Sequence, residues 1–346
     1  MPVELRTRMA WVLGVGFAVA LAACAPATVI KHSTPPLALV WPAAPSPARI
    51  AYVRAFTGPD DFGIRKSLFT RLSDFLFGPS DERLVRPMAV AAVDGIVYVA
   101  DPGAYGVHRF DTLRGEYRLL HAEGETALPS PVALARGAAG EVYVSDSELG
   151  AVFVIRPGAD AATRLPLDGL RQPTGVAVDP STGRIWVVDT AAHQVLVYQH
   201  HGKPVATIGE RGTGDGQFNF PTLLWRDARG HLYVTDTLNF RVQVLDASGR
   251  FLRRFGRMGD GSGDAGRQKG VATDALGHVY VVDALFGAFQ VFDTEGRFLL
   301  SVGDMGQAPG EFWLPTGIFV DDASTIYVAD TYNRRVQIFR YVGGPT

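Results

Sequence analysis

One cysteine in 346 residues excludes a disulfide within the chain and a thiolate zinc site. Charge of either sign is not in excess: 33 Lys and Arg stand against 35 Asp and Glu, a formal net charge of -2. The basic stripe of a nucleic-acid binder is therefore missing. The apolar run near the N-terminus, residues 9–23, is too short for a comfortable membrane helix, which needs about 20 residues. A Gly-x-Ser-x-Gly elbow, the signature of a serine hydrolase, is absent. So is helical periodicity over most of the chain. Present instead are 47% hydrophobic residues and 39 glycines. That is enough apolar material for a sizeable core and excludes wholesale disorder. The length allows two ordinary domains or one large all-β domain.

Arg6 and Arg8 precede the apolar run, the layout of a secretory signal peptide. The run ends in Leu21-Ala22-Ala23-Cys24, which resembles the lipobox of bacterial lipoproteins. The resemblance implies a signal peptide over residues 1–23 and lipid attachment at Cys24. The plainer alternative is secretory cleavage after Ala23 with a free thiol at the new terminus. Ala25 stands where enterobacterial lipoproteins kept at the inner membrane carry Asp, so the resemblance implies export and anchoring to the outer membrane. Residues 24–48 hold Pro26, Pro35, Pro36, Pro42, Pro45 and Pro47. Proline fixes φ and removes a donor, so this stretch is expected to be an extended tether between acylated cysteine and globular head.

The remainder, residues 49–346, is one motif used six times. VYVAD, VYVSD, IWVVD, LYVTD, VYVVD and IYVAD end in Asp101, Asp146, Asp189, Asp236, Asp283 and Asp330. Their spacings of 45, 43, 47, 47 and 47 residues, together with short alternating strands, signal propeller blades. In blade three a strand over 174–179 is expected to turn into a second over 185–189. In blade four third and fourth strands are expected over 241–246 and 250–255. The fold class is thus all-β, a six-bladed propeller of four-stranded blades. The sixth unit supplies only three strands, whereas residues 49–56 (RIAYVRAF) look like an orphan fourth strand. The expected closure places that N-terminal strand in the last blade; the alternative lays it on blade one. Residues 67–77 show one apolar face at helical spacing, a short helix before blade one.

The segments DTLNFRVQVLD (236–246) and DTYNRRVQIF (330–339) resemble the signature half of the NHL repeat, and GDGQFNFPTL (214–223) and GEFWLPTGIFVD (310–321) its linker and first strand. The resemblance spans about residues 84–341 and is weaker in the other four units, which lack the Asn. It implies six blades. It leaves function open, because the family includes protein-binding, RNA-binding and enzymatic members.

The six aspartates are tempting as a carboxylate ring. Recurrence in every unit instead predicts a structural role, each side chain accepting backbone N–H bonds before a tight loop. Arg241 and Arg335, five residues on, are expected to pair with them. Peptidyl-amide-forming relatives of the fold are zinc lyases, but His108, His193, His200, His201, His231 and His278 are not expected to converge on a channel. The Gly-rich stretch 211–218 precedes a strand and not a helix, so it is a linker and not a phosphate cradle. Asp260, Ser262 and Asp264 alternate as in a calcium loop, but Val271 stands where Glu is required. Trp225 and Phe319 occupy a position held elsewhere by Ala91, Ala135, Ala177 and Ala272, and are expected between neighbouring sheets.

No cofactor or metal is therefore expected. The leading reading is a membrane-tethered, non-catalytic propeller that binds a protein, peptide or glycan of the cell envelope and no nucleic acid. The alternative is a metal-dependent propeller enzyme, a lyase or lactone hydrolase. In a propeller the loops after second strands share a face with the linkers into first strands. That face collects Arg86, Tyr105, Leu149, Gln172, Leu238, Lys269, Phe286, Trp313 and Tyr332. Aromatics beside Arg are typical interface anchors.

Overall fold

The computed structural model describes residues 39–65, 82–124, 127–199 and 202–343. The expected signal peptide, Cys24, the first part of the tether, the helix over 67–77, His200 and His201 lie outside them. The described strands form six antiparallel sheets, the blades of a six-bladed propeller. Blade three is typical: Pro173–Val178, Ile185–Asp189, Gln194–Tyr198 and Pro204–Ile208 pair in sequence order. Its first strand starts one residue earlier than expected, with Pro173 opposite Asp189, and stops one residue earlier, where the Asp179 carboxylate accepts the Ser181 N–H (2.9 Å) and shapes the turn.

The burial of each strand follows its rank. Second strands, such as Val142–Asp146 and Val279–Asp283, are buried along their whole length, since neighbouring blades cover both faces. They therefore read as unbroken apolar runs. Outer strands such as Phe251–Phe255 and Phe298–Val302 alternate between partly buried and exposed, as expected of a sheet edge with one wet face. Large side chains fill the gaps between blades. Phe289, Phe312 and Phe339 meet with centroids 5.4 to 6.2 Å apart, and each such fully buried side chain contributes roughly 1.5–3 kcal/mol.

Closure occurs in blade six, where Ile50–Phe56 pairs antiparallel with Arg335–Tyr341, from Ile50 opposite Tyr341 to Phe56 opposite Val336. The N-terminal strand thus completes the last blade. A fifth strand, Val40–Trp41, pairs outside it with Ala51 and Ile50. The propeller accordingly extends into the stretch expected to be a bare tether. The Trp41 ring packs edge-on to Phe339 at 5.7 Å. This was hidden in the sequence because a two-residue strand between prolines has no periodicity to detect.

Linkers between blades fold onto the preceding fourth strand. At its end Gly303 has φ +97°, and a Cβ there would run into the ring of Phe312, the aromatic of the linker. Gly209 stands in the same relation to Phe218. Both strain and space demand glycine at these two positions.

Candidate functional site

The loops after second strands and the linkers into first strands meet at one end of the ring, the loop face. Turns within blades occupy the other end, the turn face. On the loop face the six repeated aspartates are all buried and hold backbone. Asp101 accepts the N–H groups of Val85 (2.7 Å), Arg86 (2.9 Å) and Ala104 (3.1 Å). Asp146 accepts those of Ser130, Glu148 and Leu149, and Asp283 those of Gly266, Arg267, Leu285 and Phe286. Four residues beyond each aspartate the chain turns left-handed: Tyr105, Gly150, His193, Phe240, Gly287 and Arg334 all have φ between +53° and +61°. The same geometry in every blade identifies the carboxylates as scaffold.

The signature residues of blades four and six have a common task. Arg241 donates through Nε to Asp236 (2.8 Å), and through its other nitrogens to the carbonyls of Thr213, Gly214 and Gln217. Asn239 and Gln243 bridge the same aspartate to the same linker. In blade six Asn333, Arg335 and Gln337 repeat this around Asp330. Arg241 and Arg335 thus pair as expected, and their further role is to pin an entire linker. Blade one has no such arginine. There His108 lies 3.5 Å from Asp101. Burial pushes the Asp101 carboxyl up, but the His108 contact and the backbone donors outweigh it and hold it below its usual range. Threonines missed by the sequence reading lock blades together: Thr190 donates to the Pro221 carbonyl (2.7 Å) and Thr331 to that of Pro87 (2.8 Å).

With the carboxylates engaged, the loop face shows solvent both charged side chains, among them Arg171, Arg267 and Arg334, and a set of large apolar ones. Tyr105 is 57% exposed, Tyr332 56%, Leu238 50% and Trp313 45%. Trp313 and Tyr332 lie 5.7 Å apart as a tilted pair. Arg86 and Gln172 are exposed on the same face, each with its N–H on an aspartate. Leu149 and Phe286 are half-buried, and in blade five the more exposed side chain is the neighbouring Leu285. Lys269 is also half-buried. It stands where blades three, four and six carry Thr174, Thr222 and Thr316, and burial, with Arg267 nearby, pushes its ammonium pKa down. Met258, Met305 and Phe220 are exposed on the same face. They sit in linkers, where no strand pattern announces them.

The remaining candidates are accounted for by scaffold contacts. His231 and His278 bond to Asp227 (3.0 Å) and Asp274 (2.7 Å) in turns, and the Phe220 N–H donates to His193 Nδ1 (3.1 Å). Asp264 of the calcium-like stretch pairs with Arg257 (2.8 Å) and accepts the Gly261 N–H. Among the described residues no three His, Cys, Asp or Glu side chains are grouped to hold a metal ion. Trp225 and Phe319 do not only pack between adjacent sheets. They belong to blades four and six, yet their rings meet at 5.8 Å, across the inner strand of blade five.

Known proteins place this architecture among propellers. The NHL repeat family matches residues 170–198, and a family described as 6-bladed beta-propeller matches residues 271–342. A mouse protein, peptidyl-glycine alpha-amidating monooxygenase, is 30% identical over 121 residues, which is 31% of this chain. The chain spans only 12% of that protein's length. Among solved structures, a Bacteroides thetaiotaomicron protein of unknown function superposes with a TM-score of 0.61 at 16% identity, covering 83% of this chain and 75% of that one. An auxiliary nutrient binding protein from the same organism gives 0.58 at 13% identity, with 76% and 71% covered. Virginiamycin B lyase from Staphylococcus aureus gives 0.55 at 15% identity, with 75% and 96% covered. At such identities these structures share the fold alone, and the fold hosts binding proteins and enzymes alike.

Proposed function

We propose that the chain is an envelope propeller, lipid-anchored through Cys24 to the outer membrane, that captures a protein or peptide partner on its loop face. The observation that carries this reading is the chemistry left exposed there. Tyr105, Leu238, Leu285, Trp313 and Tyr332 are all close to half exposed or more, whereas among the described residues the turn-face loops expose the large apolar side chains of Leu113, Leu276 and Val342. Exposed apolar groups on one face, rigidly mounted and sharing it with the exposed Arg86, have the makeup of an interface. Loops on a stiff scaffold lose little entropy on binding, which favours their use.

The test is capture from envelope extracts by the tagged chain. Arg86→Glu and Tyr332→Ala should weaken capture while leaving thermal unfolding nearly unchanged. Full capture by both variants, with loss on substitution at His231 or His278, would move the binding surface to the turn face. Capture that survives protease and is lost on glycosidase treatment would replace the protein partner by a glycan. For the anchor, Cys24→Ser should release the chain from membranes or leave the precursor uncut. Normal processing and continued membrane association of that variant after a high-salt wash would contradict the lipid attachment.

A further inference from the structure

At the turn face the inner strands of all six blades enclose a cavity of about 450 Å³. A lateral cleft of about 600 Å³ between blades six and one shares its Asp94, Arg136, Asp321 and Asp322 edge. Trp225 and Phe319 both line the cavity. The Trp225 indole N–H donates to Thr273 Oγ1 (2.9 Å), which fixes the ring against blade five.

The protein's own side chains show what such walls hold. Arg136 makes two 3.1 Å hydrogen bonds to the Asp322 carboxylate across the ring and lies over the Phe319 face at 5.2 Å. Arg226 repeats the arrangement, 3.2 Å from Asp179 and 5.8 Å from the Trp186 ring centre. Each guanidinium thus has one carboxylate and one aromatic face. Trp225 has no cation of the protein over it among the described contacts. Asp227 and Asp274 pair with His231 and His278, while Asp94 and Asp321 have no arginine or lysine in an ion pair among the described residues. Once the two arginines are matched, the rim keeps a surplus of carboxylates around Trp225, which lines the cavity and packs edge-on with Phe319.

We propose that this cavity binds a small organic cation, a guanidinium or alkylammonium head, seated on Trp225 and attracted by the acidic rim. Cation–π contact favours such a head over an uncharged group of the same shape, and like-signed rim charge excludes anions. The site lies opposite the loop face and does not depend on partner capture there.

The test is calorimetric titration of the full chain with agmatine, with a Gly-Arg-Gly tripeptide, and with an uncharged urea analogue of agmatine. Agmatine should bind and the urea analogue should not. Binding of agmatine alone assigns the site to free small cations, and binding of the tripeptide as well assigns it to basic side chains. Trp225→Leu should weaken binding about tenfold, the effect of losing one partly desolvated cation–π contact. Because that variant alters packing, Asp94→Asn combined with Asp321→Asn serves beside it. The pair should weaken binding at low salt, and the difference should shrink as salt is added. No heat with any cation, or equal binding of agmatine and its urea analogue, would overturn the proposal.

Discussion

On the loop face the repeated carboxylates are buried and held by backbone N–H groups and, in blades four and six, by Arg241 and Arg335, while large apolar side chains such as Tyr105 and Tyr332 stand exposed beyond them. On the turn face Asp179 and Asp322 reach across blade boundaries to Arg226 and Arg136, and the polar groups stay at the rim. One strand topology therefore presents two chemically different ends. The difference follows from what each end must stabilise. Long linkers enter at the loop face and need many acceptors for their N–H groups. On the turn face short turns satisfy themselves, as when Asp274 accepts the His278 N–H at 2.9 Å.

The sharpest way to break this contrast is to remove a loop-face acceptor. Asp236→Ala would strand the Asn219 N–H and leave the buried Arg241 guanidinium without its counter-charge. An uncompensated buried charge costs about 3–5 kcal/mol, so denaturant unfolding should show a loss of that size. Next comes the fifth strand. Trp41→Ala should cost about 2 kcal/mol, less than a fully buried aromatic because Trp41 is only partly covered. A stability equal to the wild type would return residues 40–41 to the tether.

The turn-face equivalent is expected to be small. Arg136→Ala removes an ion pair whose Asp322 side chain is 88% exposed, and exposed pairs contribute at most about 1 kcal/mol. A loss as large as that of Asp236→Ala would erase the distinction between the faces. Smallest is the acid response of single carboxylates. Asp101 is held below its unfolded value, so its stabilisation is present above the unfolded carboxylate pKa and is lost as pH falls through the folded value. Asp101→Asn should therefore flatten the acid limb of stability against pH, measured by unfolding at pH values from about 5 downward.

The scaffold was legible because it repeats. The second strands are apolar on both sides, and the aspartate after each is needed six times. Closure by residues 49–56 was legible as a vacancy and a spare strand. What stayed hidden arises where strands from different blades meet. Nothing in the spacing of Arg136 and Asp322 announces a contact across the ring. Trp225 and Phe319 stood out only as large residues at an alanine position, and strand alternation gives a direction for a side chain but not its reach. In blade five the sequence points to Phe286, whereas the neighbouring Leu285 is the more exposed of the two, because a loop lacks the period that decides this on a strand.

The central claim is that the loop face is the working face, and the direct measurement is site-specific photo-crosslinking in envelope extracts. A crosslinking amino acid at Tyr332 on the loop face is compared with one at Leu276 on the turn face, two side chains of similar exposure, 56% and 50%. A discrete adduct from Tyr332 and none from Leu276 is the predicted result. An adduct from Leu276 with none from Tyr332 would contradict it.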